Sequence, residues 1–220
     1  MLENQIISLS QKFGGSRTVL TGALHSAVSG GFDIDKSLFP DAEYGIIPAG
    51  TPGKCDELDR TAEIHYAFEV FEAALATDTT IKIAKGYEGS RIQKGMALML
   101  APTTATATGK AVEVEEIDRS NAGYDEITIE ALGVALPAGS ILIEADGAGT
   151  AAKIKVLPNG ITMFDYMKHP GAIQIYCDFM FNMPDGVILT RRIPPIAPCI
   201  KAYMADANGG NCFFRYSTSK

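Results

Sequence analysis

Residues 80–100 read TIKIAKGYEGSRIQKGMALML, residues 109–133 GKAVEVEEIDRSNAGYDEITIEALG, and residues 136–146 LPAGSILIEAD. Ile81 and Ile83 flank Lys82. Val112 and Val114 alternate with Glu113 and Glu115, Ile127 and Ile129 with Thr128 and Glu130, and Ile141 and Ile143 with Leu142 and Glu144. Such alternation turns one face of a strand to a core and the other to water. Lys85-Gly86, Lys94-Gly95, Ala122-Gly123 and Ala138-Gly139 punctuate the runs, at the spacing of roughly 8–12 residues typical of a small sandwich or barrel. The reading is mainly β: an antiparallel barrel- or sandwich-like domain over residues 41–146.

Outward from this stretch the signals weaken. Residues 101–110 are small and polar and read as an exposed hairpin loop. Residues 145–152 read as a linker to a C-terminal β-rich segment, 153–220, that completes or adjoins the core. Within it, Pro158-Asn159-Gly160 marks a turn. Ile173, Ile175 and Cys177 alternate with Gln174, Tyr176 and Asp178. VILTRRIPPIAPC predicts a strand closed by Pro194, Pro195 and Pro198, and 212–216 a last strand. Residues 63–76 fit a helical stripe or strand alternation; aromatic and β-branched content selects strand. Residues 1–40 lack a sustained period and read as an N-terminal arm or lead-in. Ile6, Ile7, Leu9 and Phe13 are its candidate contacts to a partner surface.

The chain has 220 residues, enough to bury about 70% of its unfolded surface. Its charge of −7 argues against nucleic acid or an anionic membrane as partner. No apolar run nears the roughly 18 residues that span a bilayer. The first residues carry no secretory pattern, so synthesis in a cytoplasm is expected. Cys55, Cys177, Cys199 and Cys212 form no C-x-x-C pair, and buried thiols without disulfide or metal are expected. His25, His65 and His169 sit in no ligand or triad context. Residues 43–54, EYGIIPAGTPGK, imitate a phosphate loop, but Pro48 stands where its first glycine belongs and Cys55 follows Lys54. No catalytic motif or cofactor site is apparent, so no enzyme activity is expected. Arg191 and Arg192 remain, as a solvated strand end or as contacts to an acidic partner surface.

Four pieces in order, EYGIIPAGTPGK (43–54), AKGYEGSRIQKGMALML (84–100), VEEIDRSNAGYDEITIEALGVALPAGSILIEAD (114–146) and VILTRRIPPIAPCIKAYM (187–204), resemble the head-fibre and head-decoration proteins of tailed bacteriophages, as found in phages and prophages of gut Bacteroidota. Their order and spacing carry the resemblance. Met96 departs from it, since the family often has an acidic residue there. The resemblance implies a virion structural protein on the capsid exterior, made in the host cytoplasm. It also implies the major capsid protein and its own copies, as a homotrimer, for partners. A β-rich carbohydrate-binding module is the alternative, which the absence of Trp disfavours.

Overall fold

The computed structural model describes residues 20–21, 31–34, 46–86, 89–167, 175–183 and 186–217. In chain order the strands are β1 (Leu20–Thr21), β2 (Phe32–Ile34), β3 (Ile46–Ile47), β4 (Pro52–Asp56), β5 (Thr61–Ile64), β6 (Ala67–Glu69), β7 (Thr80–Ala84), β8 (Ala97–Leu100) and β9 (Gly109–Asp118). There follow β10 (Tyr124–Ile129), β11 (Ile141–Glu144), β12 (Gly149–Ala152), β13 (Gly160–Thr162), β14 (Tyr166–Met167), β15 (Ile175–Cys177), β16 (Phe179–Met180) and β17 (Val187–Ile188). A 3-10 turn covers Thr190–Arg192, and one helix, α1, covers Pro198–Ala205.

The fold is mainly β, built on two sheets. The first runs β6-β11-β8-β9-β10-β7, with β12 added on β9, and every pairing in it is antiparallel. The second runs β15-β2-β5-β4-β13-β16, with one parallel pair, β2 with β5. Two short pairings, β1 with β17 and β3 with β14, lie outside them. Neither sheet is closed by a continuous ladder, yet the edges of each come close. Val70 bridges Ile83 at the ends of the first, and the Phe71 N–H donates to the Lys82 carbonyl at 2.8 Å. In the second, β15 and β16 lie at opposite ends of the order but are separated in the chain by Asp178 alone.

The alternation does its work on the inner faces. Val112, Val114, Ile127, Ile81 and Ile83 pack in one cluster with Phe32, Ile34, Ile64 and Phe179 of the second sheet. The middle strands are buried on both sides. Leu98 and Leu142 join that cluster, while Ala97, Met99 and Ile143 join another with Ile161, Met180, Ile200 and Met204. The expected outward face of β11 is therefore absent. Leu142 and Glu144 are both buried, and Glu144 pairs with Lys155 at 2.7 Å. Apolar residues on both faces are the mark of a covered strand.

Other expectations are corrected. Part of the supposed lead-in is core: β2 sits inside the second sheet, and Phe32 is fully buried edge-on to Phe179 at 5.8 Å. Residues 145–152 are no linker, because β12 pairs with β9 and Ala145 and Ala152 are buried. Residues 101–110 do not all lie in a loop, since Gly109 and Lys110 begin β9 and Ala105 is buried. Only Val187–Ile188 of VILTRRIPPIAPC is strand, and residues 212–216 make only isolated bridges, at Phe213 and Tyr216. Helix α1 was unforeseen. Pro198 begins it at a position where a missing N–H costs nothing. Cys199, Ile200 and Met204 are its buried residues. All four cysteines are buried, and burial pushes each thiol above its ordinary range, Cys212 to about 12.

His65, between β5 and β6, is buried. Its Nδ1 donates to the Val156 carbonyl at 2.7 Å, and its Nε2 has no hydrogen-bond partner among the described residues. Burial, and secondarily the Arg91 guanidinium, hold its pKa down at about 4. The unfolded chain, with histidine near 6.5, binds the proton first. His65 therefore leaves stability intact above pH 6.5 and removes it as pH falls toward 4. Urea unfolding is expected to give about 2 kcal/mol less stability at pH 5 than at pH 7 from this group. A His65→Gln chain whose pH slope matches the parent's would refute the assignment.

Candidate interaction surface

The short motifs of the sequence meet in pairs. Pro48–Gly53, the turn from β3 to β4, is wholly buried. A buried turn must find partners for its own peptide groups. Thr51 and Thr162 supply them: both hydroxyls donate to the Pro48 carbonyl, at 2.6 and 2.7 Å, and the Thr51 N–H donates to Thr162 Oγ1 at 3.0 Å. The Ala49 N–H donates to Asp165 Oδ1 at 2.7 Å. Gly50 has φ +81, and a Cβ there would lie 2.2 Å from Ile193 Cγ2. At Gly53 a Cβ would lie 2.6 Å from the Phe179 ring. PAGTPG thus packs against the isoleucine of RRIPP. Its glycines make room for neighbouring side chains.

The second pair joins GYEGSR to DRSNAGYDE. Asp125, only 1% exposed, accepts from Ser90 Oγ. It also pairs with Lys85 Nζ at 2.9 Å and Arg119 at 3.1 Å. Arg119 further donates to the Ile92 carbonyl at 2.7 Å, and Lys85 to the carbonyls of Arg119 and Asn121. A buried carboxylate survives because two cations and a hydroxyl meet it. Asp125 thus ties together two segments 35 residues apart.

Of the candidate partner-binding residues, Ile6, Ile7, Leu9 and Phe13 lie outside the described residues. Arg191 and Arg192 are exposed on the 3-10 turn that follows β17. Leu20 lies opposite Ile188, so the N-terminal end of β1 meets the chain two residues before that turn. The turn is tied to the C-terminal residues by Thr190 Oγ1 and Ser217 Oγ at 3.1 Å. Ile188 also bridges Tyr216. Lys201 of α1 lies 4.7 Å from the Tyr216 ring, and Arg215 lies 5.9 Å from the ring of Phe213, which is 53% exposed. Residues 187–217 hold four cations against one carboxylate, Asp206. That is +3 within a chain of −7. Sequence reading picked out Arg191 and Arg192 but not Lys201, which the packing of α1 against the C-terminal residues brings to the Tyr216 ring.

Among the described residues no group of three His, Cys, Asp or Glu could hold a metal, and no helix is long and apolar enough to cross a membrane. The arrangement has the chemistry of a basic surface with an aromatic residue beside it. Such a surface suits a carboxylate-bearing partner.

Two substitutions test the paired motifs in urea unfolding. Gly50→Ala is expected to lose about 2–4 kcal/mol, from the left-handed backbone and the clash with Ile193. Asp125→Ala is expected to lose a similar amount, about 2–4 kcal/mol, because Lys85 and Arg119 lose their counter-charge. Losses under about 0.5 kcal/mol, the scale of an ordinary surface change, would remove these contacts from the account. No protein-family model matches the chain, and no curated protein or solved structure matches it.

Proposed function

We propose that the chain is a virion structural protein, a decoration or head-fibre protein on the exterior of a tailed-phage head, with no catalysis of its own. One observation carries the reading: the pieces that resemble that family are spent on holding the sandwich together. GYEGSR meets DRSNAGYDE at Asp125, and PAGTPG meets RRIPP at Gly50. Motifs used for architecture fit a protein whose task is to be a rigid body on a particle. The major capsid protein is the proposed partner of the segment before β1, through Ile6, Ile7, Leu9 and Phe13. Each apolar side chain seated in a capsid groove would contribute on the order of 1.5–3 kcal/mol. A homotrimer is the proposed assembly, a number that comes from the resemblance.

A carbohydrate-binding reading has one observation in its favour. Phe71, 48% exposed, lies 5.2 Å from the Tyr124 ring. Lys82 already lies 5.1 Å from that same ring, which leaves less of the aromatic surface for a sugar. Glycan-array hits lost in Phe71→Ala would favour this alternative.

The structure sharpens the deletion that tests the main reading. Removing residues 1–40 would take β1 and β2 with it. Removing residues 1–19 spares both. The shorter truncation is expected to keep the β-type circular dichroism of the parent and to lose co-sedimentation with capsids. Undiminished capsid binding by this truncated chain would overturn the assignment of the segment as anchor.

A further inference from the structure

The chain passes between the two sheets twice. β2, β4 and β5 come before the first sheet in sequence, and β13, β15 and β16 come after it. The outgoing crossover is His65-Tyr66, between β5 and β6, and the returning one is residues 153–159, between β12 and β13. The two crossovers touch. His65 Nδ1 donates to the Val156 carbonyl at 2.7 Å, and the His65 N–H donates to the Pro52 carbonyl at 2.9 Å. The Glu144 N–H donates to the Tyr66 carbonyl at 3.1 Å, and the Lys155 N–H to the Glu144 carbonyl, also at 3.1 Å. His65 thus sits where both sheets and both connections meet. The returning crossover is held lightly. It carries no strand, and Ile154 makes only an isolated bridge, to Ala145. Lifting it breaks few backbone bonds, whereas parting the sheets breaks the core that Phe32, Ile64, Ile83, Val112 and Ile127 share.

With Nδ1–H donating, the lone pair of the ring is on Nε2, which has no hydrogen-bond partner among the described residues. A proton there makes a second N–H donor on a residue only 2% exposed. A buried donor without an acceptor is costly, and a buried charge more so. The groups around the ring do not offset that cost. The Arg91 guanidinium opposes a second positive charge. Glu144, the carboxylate of β11, is engaged by Lys155 Nζ at 2.7 Å. The Tyr66 hydroxyl stays neutral, pushed up to about 12 by burial. On β4 and β5, Lys54 and Glu63 are paired across the strands and face solvent. We propose that His65 is an acid-sensitive latch: when Nε2 takes a proton, residues 154–158 lift off the His65-Tyr66 crossover and admit water to the ring, while the two sheets stay together. Both ends of the lifted piece stay tethered. Asp146 Oδ1 accepts from the Lys153 N–H at 2.9 Å, and the Asn159 side chain bonds the backbone of Cys55 at 2.7 and 3.0 Å. The latch does not depend on what the protein assembles with.

The test is hydrogen exchange of the full chain, read amide by amide by NMR at several pH values and in low urea. The Lys155 amide reports the latch. The Val114 and Ile129 amides, bonded to the Met96 and Thr79 carbonyls, report the first sheet. An imidazole that charges near pH 6.5 in water and at about 4 when enclosed lowers Lys155 protection about 30-fold from pH 7 to pH 5, and about 100-fold by pH 4. Local opening exposes little surface, so Lys155 exchange is expected to be insensitive to low urea. Val114 and Ile129 are expected to stay the more protected at every pH and to respond to urea. Lys155 exchange that follows theirs in urea means opening only by global unfolding, and overturns the latch. In a His65→Gln chain the Lys155 protection is expected to be the same at pH 7 and pH 5. A fall there as large as the parent's assigns the response to Glu144 and Lys155 and overturns the inference. The parent alone also decides, whether or not the variant folds: a ring that charges near its ordinary pH while Lys155 stays protected overturns it too.

Discussion

The turn from Pro48 to Gly53 is the constraint on which the rest depends. Its peptide groups are out of water, so each must be met inside. Two threonine hydroxyls and one carboxylate meet them, and two of those three side chains come from β13 and the residues just after it. The buried turn is therefore satisfied only with residues 160–165 in place. Ile193 then closes over Gly50, which has no side chain to oppose it. Segments more than 100 residues apart are fixed in one knot. The second sheet accordingly draws its strands from residues 32–64 and 160–180, on either side of the residues 67–152 that build the first.

The knot also bears on how the sheets end. An open edge offers unpaired peptide groups to any passing strand. Here β15 and β16 are halves of one segment bent at Asp178, so the two edges of the second sheet are neighbours in the chain. The Asp178 N–H donates to the Tyr166 hydroxyl at 2.7 Å, and its carbonyl accepts from the Met163 N–H at 3.0 Å, which occupies the backbone at the bend. In the first sheet Val70 and Ile83 bring the ends together. Open edges are therefore a weak reason for this protein to oligomerise. Any contact between copies has to be sought on faces and loops.

How much was legible follows from which interactions are local. Ile81, Ile83, Val112, Val114, Ile127 and Ile129 announced their strands because the two faces of those strands meet different surroundings. Ile141–Glu144 misled because both of its faces are covered, one by the sandwich interior and the other by the cluster that includes α1. Phe32 and Ile34 looked like lead-in because a three-residue strand is too short to show a period. Its neighbours β5 and β15 are supplied by distant chain. Helix α1, eight residues beginning at a proline, is likewise shorter than any pattern that separates helix from loop. For the candidate surface, the arginine pair was visible as a local run. Lys201 was not, because its partner ring, Tyr216, reaches it only through the packing of α1 against the C-terminal residues.

The carboxylates of β9 show the same limit in reverse. VEVEE reads as plain alternation, which would point Glu113 and Glu115 outward and Glu116 inward. An inward Glu116 would need a buried partner. A bulge in the pairing of β9 with β10 resolves the conflict by turning Glu116 out as well. It does so by concentrating like charge, with Asp118 and Glu126 face to face. Such repulsion costs on the order of a few tenths to 1 kcal/mol for a directly opposed pair, small beside the burial of Val112, Val114 and Ile117 on the other face. The fold carries that repulsion because the burial on the inner face outweighs it.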